Sequence, residues 1–301
     1  MIEITNLCKN YGKKQVLKEL SIKIENGKIF GLVGINGAGK STLLRLMSGI
    51  YKANSGQILV DGEEIYENEN KKKDIFFLPD EPYYGLNTTP LNLVDLYLEF
   101  YNFNKEDYLH YLNTFKLPIN KKMHTFSKGM KRQVFVSLAL AIKPKYLFLD
   151  EAFDGLDPLA RLTFKRAIID LVEEKQTTII ISSHSLRELE DICDCYGLID
   201  KMEIASSGDI SESIDKTHKY QVAFNEIPNK EMFSDFNILA YEQESRIVRI
   251  VVNDDIHTFT KKINKYNPLL IDEIPINFEE LFIIEVENRG YLKWEIYLII
   301  I

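Results

Sequence analysis

The chain has 301 residues, of which 45% are hydrophobic, so it is long and apolar enough to bury a substantial core. Its formal net charge of −8 argues against a protein that owes its affinity to neutralising nucleic-acid phosphates. Its three cysteines, an odd number, favour a reducing compartment. The sequence shows neither a signal peptide nor an apolar run long enough to span a bilayer. We therefore expect any membrane role to come through partners.

The first elements along the chain are predicted strands followed by a glycine-rich loop. Apolar residues alternate through 2–7 and 20–24, and the fully apolar run 29–33 is typical of a buried central strand. The sequence Gly-Ile-Asn-Gly-Ala-Gly-Lys-Ser at 34–41 then leads into a predicted helix that ends near Gly49. Strand, loop and helix in this order predict a phosphate-binding loop.

The loop has the pattern of a glycine, four residues and then Gly-Lys-Ser, in which backbone N–H groups and the helix N-terminus surround a phosphate. We expect Lys40 to contact the β- and γ-phosphates and the Ser41 hydroxyl to bind Mg²⁺. By itself the loop defines only a broad class that includes kinases, GTPases and motor ATPases. The predicted nucleotide ligands in it are Gly34, Asn36, Gly37, Ala38, Gly39, Lys40, Ser41 and Thr42.

A helical subdomain is predicted from about residue 80 to 142, where aromatic and amphipathic stretches are punctuated by prolines. Within it, the turn at Ser127 and Gly129 precedes a helical pattern at 134–142. The Ser127 hydroxyl and the Gly129 backbone could donate hydrogen bonds to a γ-phosphate. Ser127 could equally be only the N-cap of the helix.

The next predicted strand, 146–149, ends in two acids. A nucleotide hydrolase needs one carboxylate for Mg²⁺ and another to polarise the attacking water, so Asp150 is the predicted metal ligand and Glu151 the predicted base. A solvated strand end or a helix cap is the alternative, which the upstream phosphate loop disfavours. A helical pattern at 164–173 and an apolar run at 177–181 continue the strand and helix alternation of a parallel sheet.

A second, smaller domain is predicted after the first. It shows strand-like patterns at 220–224 and 247–252 and helical spacing at 256–263, which indicate an α+β appendage. The apolar end at 296–301 is either a buried strand of this appendage or a strip offered to a partner. The predicted domains are therefore 1–210, with the helical subdomain at about 80–142, and 211–301.

Together, the loop at 34–41, the Ser-Lys-Gly-Met-Lys turn at 127–131 and the acids at 150–151 resemble the motifs of the ATP-binding cassette (ABC) family. The resemblance spans residues 1 to about 210. It implies an α/β P-loop NTPase fold with a mixed sheet core, N-terminal antiparallel strands and a helical subdomain, to which the α+β appendage is added. It also implies a dimer with two composite sites, because Ser127 and Gly129 would serve the ATP bound by the opposite subunit.

Further site residues follow from the resemblance. Tyr11 lies where the family stacks an aromatic ring on adenine, although it could be an ordinary surface residue. Asp157 lies where the family has the loop that couples the two sites, although it could instead belong to a plain turn. His184 lies where the family has a histidine that contacts the γ-phosphate and orients catalytic groups. Asp80 replaces the family's usual glutamine and would either bind Mg²⁺ or, if the metal is absent, be repelled by the γ-phosphate.

The Leu-Pro-Asp-Glu-Pro sequence at 78–82 is similar to that of bacterial ABC exporters of drugs, antimicrobial peptides or ions. The implied cofactors are ATP and Mg²⁺, and the implied partners are a second copy or a paralogous ATPase subunit and integral membrane permease subunits, with no nucleic acid. The implied location is cytoplasmic, at the inner face of the cell membrane. One alternative is an ABC ATPase that clamps nucleic acid or ribosomes, but such proteins usually have coiled coils, tandem cassettes or basic surfaces. Another is a small-molecule kinase, but a kinase would leave the turn at Ser127 unexplained.

Overall fold

The computed structural model describes residues 1–183 and 185–291. Contacts within the chain divide it into two compact units, Met1–Ser207 and a second unit that begins at Gly208. The predictions made for His184 and for residues 296–301 lie outside the described residues.

The first unit is built on strands that range from two to 11 residues in length. In chain order they are β1 (Ile2–Tyr11), β2 (Lys14–Ile24), β3 (Ile29–Gly34), β4 (Ser55–Val60), β5 (Glu63–Glu64), β6 (Ile75–Leu78), β7 (Tyr146–Asp150), β8 (Thr178–Ser182), β9 (Cys195–Asp200) and β10 (Glu203–Asp209), which crosses into the second unit. Its helices are α1 (Lys40–Met47), α2 (Glu69–Lys72), α3 (Pro90–Leu98), α4 (Lys105–Thr114), α5 (Lys128–Ile142), α6 (Pro158–Lys175) and α7 (Leu186–Glu190).

Two sheets organise this unit. An antiparallel sheet has the order β2-β1-β4-β5, and the central sheet has the order β10-β9-β3-β8-β7-β6. In the central sheet β3, β8, β7 and β6 run parallel, and β9 is parallel to β3. Every residue of β3, β7 and β8 is buried, which explains their continuous apolar sequences.

The register of the central sheet brings several loops to one edge. Asp150 pairs with Ser182 across β7 and β8, and Leu78 pairs with Leu149 across β6 and β7. Since parallel strands end at the same edge, the phosphate loop after β3 and the segments after β6, β7 and β8 all start there.

Helices α3, α4 and α5 follow β6 and form the predicted helical region. Helix α5 begins after Ser127, and its residues 132–142 are all buried, so it is a core helix and not a surface one. None of the helices within 1–183 and 185–291 combines the length and the apolar character needed to cross a bilayer.

The second unit contains α8 (Ile210–Asp215), β11 (His218–Ala223), β12 (Ile238–Glu244), β13 (Ile247–Val252), α9 (Ile256–Ile263), β14 (Leu270–Ile274) and α10 (Phe278–Asn288). Its antiparallel sheet has the order β12-β13-β11-β14. The Tyr220 and Phe259 rings stack with their centroids 4.0 Å apart inside its own apolar cluster. The strands and helices of this unit form the α+β arrangement predicted for the appendage.

Candidate functional site

The loop at 34–41 makes a tight turn into α1. Gly39 precedes the helix with φ of 113°, a left-handed conformation that favours glycine. A Cβ at this position would lie 2.7 Å from Leu17 Cδ2. The Ala38 N–H donates to the Ile35 carbonyl at 3.0 Å, which closes the turn. The turn thus presents the N-terminus of an eight-residue helix, where unpaired N–H groups favour an anion.

Lys40 is a buried cation held against this loop. Its Nζ donates to the Gly34 carbonyl at 2.7 Å and to the Ile35 carbonyl at 3.4 Å. Burial lowers the pKa of Lys40, and the carboxylates of Glu151 and Asp150 offset part of that shift. A bound phosphate would add negative charge beside the ammonium group and stabilise its charged form.

Asp150 brings together residues that are far apart in the sequence. Its Oδ1 accepts hydrogen bonds from the Ser41 hydroxyl at 2.9 Å and from the Ser182 hydroxyl at 2.8 Å. Among residues 1–183 and 185–291, its buried Oδ2 has no hydrogen-bond partner. An unsatisfied buried acceptor costs about 1–3 kcal/mol, and a cation at this position would satisfy it. Since carboxylate and hydroxyl oxygens are the ligands that Mg²⁺ prefers, Ser41 and Asp150 fit this metal.

Glu151 is held in a strained conformation directly after β7. Its φ is 50°, in the left-handed region that non-glycine residues rarely adopt. The Glu151 N–H donates to the carbonyl of Ser182 at 3.2 Å and to its hydroxyl at 3.1 Å, and these bonds maintain the conformation. Ser182 thus contacts both acids, a role that the sequence analysis missed; the only signal was a serine at the end of an apolar strand.

Ser127 is the N-cap of α5, one of the two roles predicted for it. Its Oγ accepts a hydrogen bond from the Met130 N–H at 3.1 Å. This bond uses the oxygen as an acceptor, so the hydroxyl proton can still be donated to a ligand. The side chain is exposed, and its contact with a γ-phosphate stays a prediction.

The start of α5 packs against the loop that follows β7. A Cβ added to Gly129 would lie 2.2 Å from the Gly155 carbonyl oxygen. Gln133 Nε2 donates to Asp157 Oδ2 at 3.3 Å. The other oxygen of Asp157 caps α6 by accepting from the N–H groups of Leu159 and Ala160, at 3.1 and 3.0 Å. Asp157 is therefore a helix cap in contact with α5.

We expect Gly129→Ala to lower the free energy of unfolding by about 1–2 kcal/mol. Alanine favours a helix by up to about 1 kcal/mol over glycine, but here its Cβ would collide with a backbone carbonyl that cannot rotate away. Denaturant unfolding measures the change. Gly85→Ala is the control, because the nearest atom to its Cβ is a threonine hydroxyl at 3.3 Å. Equal unfolding midpoints for the two variants would contradict the prediction.

Asp80 lies after β6 and contacts a buried arginine. Its Oδ1 accepts from Arg132 Nη2 at 2.7 Å, and Lys128 Nζ is 3.7 Å from the same oxygen. Within the described residues, no three side chains of His, Cys, Asp or Glu form a group that could hold a metal ion. The structure thus pairs Asp80 with Arg132 and does not place it in a carboxylate cluster with Asp150 and Glu151.

Tyr11, the predicted adenine contact, lies at the end of β1 and is 44% exposed. Its ring meets that of Tyr51 edge to face, with the centroids 6.1 Å apart. Lys9 Nζ lies 5.4 Å from the centre of the Tyr11 ring. The ring has surface available for stacking, and its contact with adenine stays a prediction.

Comparison with known proteins identifies similar sequences among the ATP-binding proteins of transporters. A family model described as "ABC transporter" matches residues 17–154. The ABC transporter ATP-binding protein YtrB of Bacillus subtilis is 34% identical over 296 residues, which cover 98% of this chain and 100% of YtrB. The lantibiotic transport ATP-binding protein SrtF of Streptococcus pyogenes is 33% identical over 228 residues, or 74% of this chain and 98% of SrtF.

Among solved structures, a dimeric ATP-binding cassette in a post-hydrolysis state, bound to ADP and Pi, has a similar fold. Its TM-score is 0.62 at 21% sequence identity, and the match covers 69% of this chain and 98% of that one.

Proposed function

The chain belongs to the ABC transporter family of ATP-binding proteins, and from this premise we propose that it hydrolyses ATP to power transport through separate membrane subunits. The observation that carries the proposal is the arrangement around β7. Asp150 has an unsatisfied buried oxygen beside Ser41, and Glu151 follows it at the edge of the sheet where the phosphate loop begins. This arrangement supports the proposal, because ATP hydrolysis needs a binding loop, a metal position and a base close together.

In the proposed reaction, the loop at 34–41 binds the phosphates and Lys40 contacts the β- and γ-phosphates. Bound Mg²⁺, held by Ser41 and Asp150, would neutralise charge on the phosphate oxygens. Glu151 accepts a proton from water as the water oxygen attacks the γ-phosphorus. The bond from this phosphorus to the β–γ bridging oxygen breaks, and ADP leaves with that electron pair. Lys40 stabilises the negative charge that develops.

We further propose that two copies, or this chain and a paralogous subunit, enclose ATP between them. Ser127 supports this proposal, because it is exposed at the start of α5 and retains a proton to donate. The start of α5 also offers the backbone N–H of Gly129 to an anion. The cassette of similar fold was itself solved as a dimer.

The proposed membrane partner is an integral permease, with this chain at the inner face of the cell membrane. Strongly exposed apolar side chains occur in the stretch 83–100 of the helical region, where Tyr83 is 93% and Leu86 is 82% exposed. Exposed apolar patches are typical of protein interfaces. We propose that the transporter is an exporter because the sequence at 78–82 is similar to that of bacterial ABC exporters; SrtF is named for lantibiotic transport.

The test is a measurement of ATP binding and product release by the purified full-length chain. We expect binding that requires Mg²⁺ and release of ADP and inorganic phosphate in equal amounts. Failure to bind ATP with Mg²⁺ would overturn the proposal. Transfer of phosphate to a small molecule would indicate a kinase, and turnover stimulated by nucleic acid at modest salt would indicate a nucleic-acid clamp.

A further inference from the structure

Arg132 is a buried cation that the proposed reaction does not use. Its side chain is only 1% exposed. Its Nη1 donates to the Pro79 carbonyl at 3.0 Å, and its Nη2 donates to Asp80 Oδ1 at 2.7 Å. Pro79 has no N–H with which to extend the ladder of β6, so the strand ends at Leu78. One guanidinium group therefore holds the first two residues after the strand.

The positive charge of Arg132 affects both the position of the Asp80 carboxylate and its ability to bind a metal ion. A buried guanidinium without a counter-charge is strongly unfavourable, so Arg132 stabilises the Asp80 carboxylate at its present position. Lys128 Nζ adds a second cation 3.7 Å from the same oxygen, and it also lies 3.9 Å from Asp154 Oδ2. Two cations on one carboxylate oxygen oppose the approach of a divalent metal ion to it.

The neighbouring residues of α5 contact a different loop. Gln133 donates to Asp157, and Gly129 packs on the Gly155 carbonyl, so this side of the helix meets the loop after β7. Strands β6 and β7 are adjacent in the sheet. The first turns of α5 thus contact the segments that follow both β6 and β7. Strand β7 ends in Asp150, the proposed metal ligand, and Glu151, the proposed base, comes next.

From this geometry we propose that Asp80 is a positioning residue: its ion pair with Arg132 holds the start of α5, and with it Ser127 and Gly129, against the end of β6. The inference rests on the proposed function, since Ser127 and Gly129 act on ATP in that proposal. Asp80 then affects turnover through the placement of α5 and not through Mg²⁺. This differs from the metal contact that was one of the two roles predicted for Asp80.

The experiment measures ATP hydrolysis by the full chain against both ATP and Mg²⁺ concentration, for Asp80→Ala, Asp80→Asn, Arg132→Met and the double variant Asp80→Ala/Arg132→Met. Asp80→Ala is expected to lower kcat about 10- to 100-fold, because small misplacements of catalytic groups have effects of this size. The half-saturating Mg²⁺ concentration should stay within about twofold of wild type. Asp80→Asn should retain more activity than Asp80→Ala, because its amide oxygen still accepts from Arg132.

The double variant should lose no more activity than Asp80→Ala alone, because it leaves no unpaired buried charge. It and Asp80→Asn also keep the test valid if Asp80→Ala folds poorly. Asp95→Ala is the control; Asp95 forms an exposed ion pair with Lys105 at 2.6 Å, and its loss should not change the rate.

Two results would overturn the inference. A half-saturating Mg²⁺ concentration raised about tenfold or more in Asp80→Ala would make Asp80 a metal ligand. A loss in the double variant equal to the product of the two single losses would show that Asp80 and Arg132 act independently. A wild-type chain that fails to bind or hydrolyse ATP would overturn the proposed function itself, so the two failures are distinguishable.

Discussion

Glu151→Gln is expected to slow ATP hydrolysis by about 10²–10⁴-fold while ATP binding is retained, because the amide cannot accept a proton from the attacking water. The replacement keeps the shape of the side chain and its Cβ. The bonds that hold residue 151 at its positive φ come from its backbone N–H to Ser182, so they should persist. The variant therefore separates the chemistry from the fold of the site.

Uncleaved ATP should then hold two copies of the Glu151→Gln variant together. Light scattering gives the mass with and without ATP and Mg²⁺, and single-turnover phosphate release gives the rate. Glu173→Gln, on the exposed face of α6, is the control and should behave as wild type. If Glu151→Gln hydrolyses ATP at the wild-type rate, Glu151 is not the base, and His184 becomes the candidate.

Asp150→Asn is expected to remove the stabilisation that Mg²⁺ with ATP confers on the fold. At ligand concentrations about 100-fold above Kd, binding stabilises a native protein by about 2.7 kcal/mol. The amide oxygen of the variant can still accept from Ser41 and Ser182. An NH₂ donor, however, replaces Oδ2, the atom without a partner in the described part of the chain. Hydrolysis should fall at least about 10²-fold, because charge on the phosphates is no longer neutralised.

Thermal unfolding with ATP, in the presence and absence of Mg²⁺, measures this loss. Asp154→Asn is the matched control, because Asp154 lies four residues further along with a side chain that is 51% exposed. Wild type and Asp154→Asn should gain the same increase in Tm from Mg²⁺. An equal gain in Asp150→Asn would show that the metal is held elsewhere.

Much of the site was predictable because its residues are close together in the sequence. The loop at 34–41 combines the required glycines, Lys40 and Ser41 in one contiguous segment whose conformation depends on local backbone freedom. The acids at 150–151 were also recognisable, since they follow the wholly apolar run 146–149. The predicted family and fold class are confirmed by the comparisons.

The contacts between distant segments were not predictable in the same way. The contact of Ser182 with both acids depends on the register of β7 against β8, and the pairing of Asp80 with Arg132 depends on how α5 packs beside β6. Nothing in the local sequence around Asp80 distinguishes a metal ligand from the partner of a buried arginine.

The class of chemistry could thus be inferred from the amino-acid sequence, because a phosphate loop and a pair of acids are local patterns whose residue types carry their function. The tertiary structure was needed to show that Asp150 Oδ2 has no hydrogen-bond partner among the described residues, whereas Asp80 Oδ1 is close to two cations. Hydrogen-bond partners and burial depend on strand register and helix packing between segments that are distant in the sequence; Ser41 and Asp150, for example, are 109 residues apart.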